Sequence, residues 1–149
     1  MENIFTPLQD RSKTILFVGI GNRLKSDDSV GIYICENIEY TDRKKVLIVE
    51  SGLEKYIGKI NTISPDILVL VDSTDFDKKP GYLEMLKPEQ ITDETTNTHT
   101  ISVKKLSKFF NMSTYILGVQ PKNSNFGEEL SLPVKESADR IIDYLNNKL

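Results

Sequence analysis

The chain has one cysteine, one histidine and no tryptophan in 149 residues. A lone cysteine, Cys35, cannot form an internal disulfide, which suits a reducing compartment. Cys35 also falls inside a helical stretch with no basic partner beside it, so it reads as a small core residue rather than a nucleophile. Long apolar runs are absent, and so is a signal-peptide pattern. A bilayer-spanning helix is therefore excluded, and a soluble, cytosolic protein is expected. Basic runs are missing as well: 19 Lys and Arg face 22 Asp and Glu, for a net charge of −3, which argues against nucleic acid as the main partner. Without repeats or low-complexity tracts, function must reside in a site grafted onto a single fold.

What is present is a chain of 149 residues, 38% hydrophobic, long enough for one well-buried domain and too short for two. Residues 1–149 are expected to be that domain, with 1–12 as a polar N-terminal extension. The stretch that organises the rest runs from Thr14 to Gly31. Ile15 to Val18 is an unbroken apolar run, as in a strand covered on both faces. Gly19 and Gly21 permit a turn at its carboxyl end, and the adjacent carboxylates Asp27 and Asp28 stand at the mouth of the next helix. Ser26 or Asp27 could cap that helix, where acidic groups oppose the helix dipole favourably. A cap needs only one carboxylate, which leaves the other for chemistry. A dinucleotide site is disfavoured, because the third glycine of that fingerprint is missing and Asp27 and Asp28 would place negative charge where a pyrophosphate must sit.

The remaining chain alternates strand and helix. Residues 28–40 read as a helix, with Val30, Ile34 and Ile38 on one face. Lys45–Glu50 reads as a strand and Leu53–Ile63 as a helix broken by Ser64-Pro65-Asp66. The next strand, Ile67–Val71, is the most apolar run and ends at Asp72, a carboxylate that packing explains poorly. Too few residues separate Asp72 from Pro80-Gly81 for a crossover helix, so Tyr82–Leu86 should run antiparallel at the sheet edge. A polar loop then leads to His99, near the start of a helix marked by Val103, Leu106, Phe109 and Phe110. Ser113–Val119 reads as the final strand. The last helix begins near Ser131, with Pro133 in its first turn and an apolar face of Val134, Ala138, Ile141, Ile142, Leu145 and Leu149. The sum is a three-layer α/β domain: a mostly parallel five-stranded twisted sheet with one antiparallel edge strand and helices on both faces.

Asp28, Asp72 and His99 are the candidate site. Both aspartates follow strands expected to be neighbours, and the histidine arrives on a loop that can fold over the same edge. Two carboxylates and an imidazole can hold a divalent transition metal with open positions for water or substrate. Such a metal polarises a carbonyl and acidifies water. An ordinary helix cap, loop cap or surface histidine remains the alternative for each residue taken singly.

The sequence also resembles the nickel–iron hydrogenase maturation endopeptidases. The resemblance rests on Val18-Gly19-Ile20-Gly21-Asn22-Arg23-Leu24 followed by Asp27-Asp28 and Gly31, and on Val69-Leu70-Val71-Asp72. It continues through Pro80-Gly81, Thr98-His99, Gly118-Val119-Gln120-Pro121 and Phe126-Gly127-Glu128-Glu129-Leu130-Ser131. The first and the Gly-Val-Gln-Pro motifs are most similar to the branch serving formate-hydrogenlyase-type and energy-converting hydrogenases. The resemblance implies removal of a C-terminal extension from a hydrogenase large-subunit precursor after nickel insertion. It further implies that Asp28, Asp72 and His99 are the catalytic and metal-contacting residues, and that the nickel belongs to the precursor, with no tightly bound metal resident in the enzyme. The sequence departs from the family's usual pattern at Ser29, where glycine is common, and at Thr100-Ile101-Ser102-Val103, where relatives more often carry an acidic residue and a proline. Rival expectations are a precursor-holding chaperone of the same fold and a small-molecule hydrolase with a resident metal.

Overall fold

The structure, a computed structural model, describes residues 1–91, 103–127 and 129–149. Five strands form one sheet: β1 (Ile15–Ile20), β2 (Lys44–Glu50), β3 (Ile67–Ser73), β4 (Leu83–Leu86) and β5 (Ser113–Val119). Their order is β2-β1-β3-β5-β4. All pairings are parallel except that of β4 with β5. The edge strand is thus antiparallel, as its short connection requires. It lies against β5 rather than against β3, which precedes it.

The two central strands are fully buried, and their side chains alternate between two cores. Ile15, Phe17, Val69 and Val71 face one layer, built from α1 (Val30–Glu36) and the C-terminal helix α3 (Leu132–Lys148). Leu16, Val18, Leu68 and Leu70 face the other, where α2 (Ile57–Ile63) and the segment containing Val103 and Phe110 pack. Two-sided cover explains why these strands are continuous apolar runs. The polar N-terminal residues are also part of the body: Phe5 and Leu8 are fully buried, and Phe5 stacks on Tyr144 with centroids 5.0 Å apart.

Several boundaries differ from the sequence expectation. Strand β1 continues through Gly19 to Ile20, and β3 through Asp72 to Ser73. Helix α1 ends at Glu36, well short of residue 40, because Asn37 turns out of it and its side-chain amide donates back to the Tyr33 carbonyl. The second helical stretch opens as a 3-10 turn, Leu53–Tyr56, and closes on Ser64 in the left-handed conformation (φ 53°) just before Pro65. Of the four residues expected to mark a helical face after residue 102, Val103 and Phe110 are buried but Phe109 is exposed. Among the described residues no helix is long and apolar enough to cross a membrane.

The order of connections locates the site. From β1 the chain crosses to β2 on one side; from β2 it crosses back over β1 to β3 on the other. The sheet order therefore reverses between β1 and β3, and the crevice at their carboxyl ends is where such folds bind ligands.

Candidate active site

Strand β1 leads into Gly21, whose φ of +142° is accessible to few residues other than glycine. A Cβ there would lie 2.0 Å from the Asp28 carbonyl oxygen. The chain can thus fold Asp28 back onto the end of the strand. The Asn22 N–H then donates to the Asp28 backbone oxygen at 3.3 Å and to Oδ2 at 3.1 Å. The main-chain donor that could have met a phosphate is occupied by the protein's own carboxylate, which supplies the physical reason why this glycine turn is not a nucleotide cradle.

On the neighbouring strand, Asp72 stands opposite Gly118 of β5, and Ser73 follows it. Ser73 links the two carboxylates: its hydroxyl donates to Asp28 Oδ1 at 3.0 Å, and its N–H donates to Asp72 Oδ1 at 2.8 Å. The structure therefore brings Asp28 and Asp72 together at the switch point. Asp72 Oδ2 is buried and has no hydrogen-bond partner among the described residues. Both carboxylates are buried: Asp72 is 1% exposed and Asp28 6%. Strand β3 runs one residue beyond Asp72, which draws the carboxylate down between β1 and β5. His99 lies outside the described residues, and among those described no cluster of three metal-binding side chains occurs.

Burial, and then the neighbouring Asp28 carboxylate, push Asp72 well above the usual carboxylate range, against the single opposing N–H of Ser73. An unpartnered carboxylate oxygen next to a second carboxylate has two physical remedies, a proton or a cation. Either would serve chemistry: a protonated carboxyl near a carboxylate suits acid–base catalysis, and a cation held by Asp28 and Asp72 would supply electrophilic catalysis. Cys35 offers no rival chemistry. It is buried against the core and its thiol is pushed strongly upward by desolvation.

The roles of three residues that shape the site escaped the sequence reading. Asp27, fully buried, caps neither the 3-10 turn Ser26–Ser29 nor α1. It accepts instead from the backbone N–H groups of Lys122 (2.8 Å), Asn123 (3.1 Å) and Ser131 (2.7 Å), and from the Ser131 hydroxyl (2.7 Å). It straps the segment after β5 to the turn bearing Asp28. Ser73 is the second, and Gln120 the third. Gln120 Oε1 accepts from the Phe76 and Lys78 N–H groups, and its Nε2 donates to Asp75, which fixes the loop that follows Asp72. The only signal for Asp27 was the doubled carboxylate itself. Ser73 and Gln120 act through contacts 45 and 44 residues away in sequence, which no local pattern encodes.

A cleft of about 520 Å³ touches Ser29, the residue after Asp28, and is lined by apolar Ile32 and Leu130 together with Arg23, Glu129 and Lys135; neither carboxylate of the pair lines it.

A sequence model of the hydrogenase maturation protease family matches residues 32–148. A Methanocaldococcus jannaschii protein described, by inference, as a hydrogenase maturation protease is 32% identical, across 89% of this chain and 86% of that protein. The hydrogenase 3 maturation protease of Escherichia coli is 23% identical, across 89% and 88% of the two chains. Among solved structures, a nickel–iron hydrogenase maturation protease from Thermococcus kodakarensis superposes with a TM-score of 0.79 at 27% identity, over 97% of this chain and 95% of that one.

Proposed function

This chain belongs to the hydrogenase maturation protease family, and from that premise we propose that it removes the C-terminal extension of a nickel–iron hydrogenase large-subunit precursor at the Asp28–Asp72 pair, once nickel has been inserted into the precursor. It is accordingly a peptide-bond hydrolase. The observation that carries the site assignment is the convergence of Asp28 and Asp72 on Ser73 at the switch point, with one Asp72 oxygen left unpartnered.

The donor set fits a cation that arrives with the substrate. Two hard carboxylates, with His99 as the expected third ligand, would make a weak site for free nickel, because additional or softer ligands are what make nickel sites tight. The precursor supplies those ligands, so contact with the metal forms only when substrate and nickel come together. Asp28 is oriented by the Asn22 N–H and the Ser73 hydroxyl. Asp72, whose burial favours its protonated form, would hold or release a proton as a peptide bond is cleaved. The cleft that touches Ser29, with its mixed apolar and charged lining, suits an extended peptide. The resemblance of the Val18–Leu24 and Gly118–Pro121 motifs supports a partner in the formate-hydrogenlyase-type and energy-converting group, and the reducing chemistry suggested by the lone cysteine supports processing in the cytoplasm.

The test is incubation with a nickel-loaded precursor, followed by intact-mass measurement. The wild type should release one C-terminal fragment, and Asp28→Asn, Asp72→Asn and His99→Ala should each reduce its release at least a hundredfold. Retained cleavage in any variant removes that residue from the mechanism. Binding of precursor without truncation by the wild type would instead identify a chaperone.

A further inference from the structure

Seven large hydrophobic side chains are exposed among the described residues, and three of them, Leu24, Phe126 and Leu132, lie on segments tied to the turn that carries Asp28. Leu24 and Phe126 are 58% and 81% exposed. They are held side by side by main-chain bonds, Gly127 N–H to the Leu24 carbonyl at 2.9 Å and Ser26 N–H to the Gly127 carbonyl at 2.6 Å. Lys25 pairs with Gly127 in an isolated parallel bridge, and its ammonium lies 5.4 Å from the Phe126 ring centroid. The Ser26 hydroxyl donates to the Glu129 carbonyl, and buried Asp27 grips Ser131, the residue before Leu132.

An exposed aromatic ring on a loose loop would need no explanation. This ring is instead carried beside Gly127, which is bonded through its N–H to the Leu24 carbonyl and through its carbonyl to the Ser26 N–H, and Ser26 stands two residues before Asp28 in the chain. Resting on the function proposed above, we propose that Leu24, Lys25 and Phe126 form a docking edge for the folded body of the protein substrate, which meets it with an apolar patch bearing a carboxylate. Leu24 and Lys25 lead directly into the 3-10 turn Ser26–Ser29 that carries Asp28, so a polypeptide that delivers a peptide bond to this turn is expected to meet them. Aromatic and aliphatic side chains exposed in a fixed position lose little entropy on binding and serve as anchors. The Lys25 ammonium over the ring sets the sign of the complementary charge, since it favours a carboxylate beside the apolar contact. Phe109, equally bare, is on the segment leading into the amino end of β5, at the opposite edge of the sheet.

Nickel-free precursor isolates this contact, because it should dock without engaging the metal-dependent step. Its dissociation constant from immobilised wild-type enzyme should weaken about tenfold in the Leu24→Ala/Phe126→Ala double variant and at least threefold in Lys25→Glu, while Phe109→Ala matches the wild type. Leu24, Phe109 and Phe126 are exposed and Lys25 is half-buried, and circular dichroism melts should confirm intact folds. Equal dissociation constants for wild type and the double variant, or no measurable binding of nickel-free precursor to the wild type, would overturn the docking edge. Truncation of nickel-loaded precursor by the wild type, measured separately, reports on the proposed function alone, so the two failures are distinguishable.

Discussion

At the scale of single residues, Asp72 is the group whose environment costs most. Its carboxyl is desolvated, faces Asp28 and receives one N–H, so it holds its proton to higher pH than the unfolded chain's reference of 3.8. Between those values the native state binds more protons, and stability falls as pH rises through the folded-state value. Asp72→Asn removes that dependence. Its melting temperature should therefore exceed that of the wild type by more at neutral pH than near pH 4; thermal melts at the two pH values decide it, and an unchanged difference would mean that Asp72 is not destabilised by ionisation. Asp27 is the opposite case, a buried carboxylate met by four donors. Asp27→Asn must turn an amide N–H2 toward N–H or O–H donors whichever way it is placed, and should cost about 2–3 kcal/mol in urea denaturation. The sequence shows that one carboxylate of the Asp27–Asp28 pair exceeds what a helix start requires. It does not show that neither is a cap, because Asp27's partners lie 95 to 104 residues away.

At the scale of elements, α1 is held to the sheet by Gly31. A Cβ there would come 2.1 Å from the Val71 carbonyl oxygen and 2.7 Å from that of Ile20, so the helix rests directly on the backbones of β1 and β3. Gly31→Ala should destabilise the protein by about 3 kcal/mol, the upper end for an overpacked core site. It should also lower precursor cleavage by moving the turn that carries Asp28. Chemical denaturation with a parallel truncation assay checks both, and wild-type stability in this variant would contradict the close approach. Element type was legible throughout the described strands and in α3, where Val134, Ala138, Ile141 and Leu145 are all fully buried as their spacing predicts. Boundaries were less so. Asn37 ends α1 through a side-chain bond to Tyr33, and the extension of β3 to Ser73 depends on pairing with Val119, neither of which hydrophobic spacing records.

At the scale of the molecule, the buried runs at β1 and β3 and the short β3-to-β4 connection were enough to specify a mostly parallel sheet with an antiparallel edge. That arrangement alone carries Asp28 and Asp72 to one crevice, which is why the pair could be read before its geometry was known. Its depth could not be read, since burial at 1% and 6% arises from how β5, the Asp27 strap and the Gln120 loop close around the strand ends. At this crevice the described residues place a buried pair of carboxylates with one unpartnered oxygen, which under the proposed function would meet a metal presented by a substrate. The most direct measurement compares two precursors under identical conditions, one matured with nickel and the other nickel-free but supplemented with free nickel at a level too low to load it. Intact masses should show the C-terminal fragment released from the first and the second left whole. Equal cleavage of both would show that the enzyme works as an ordinary metalloprotease with its own metal, and would contradict a checkpoint set by nickel in the precursor.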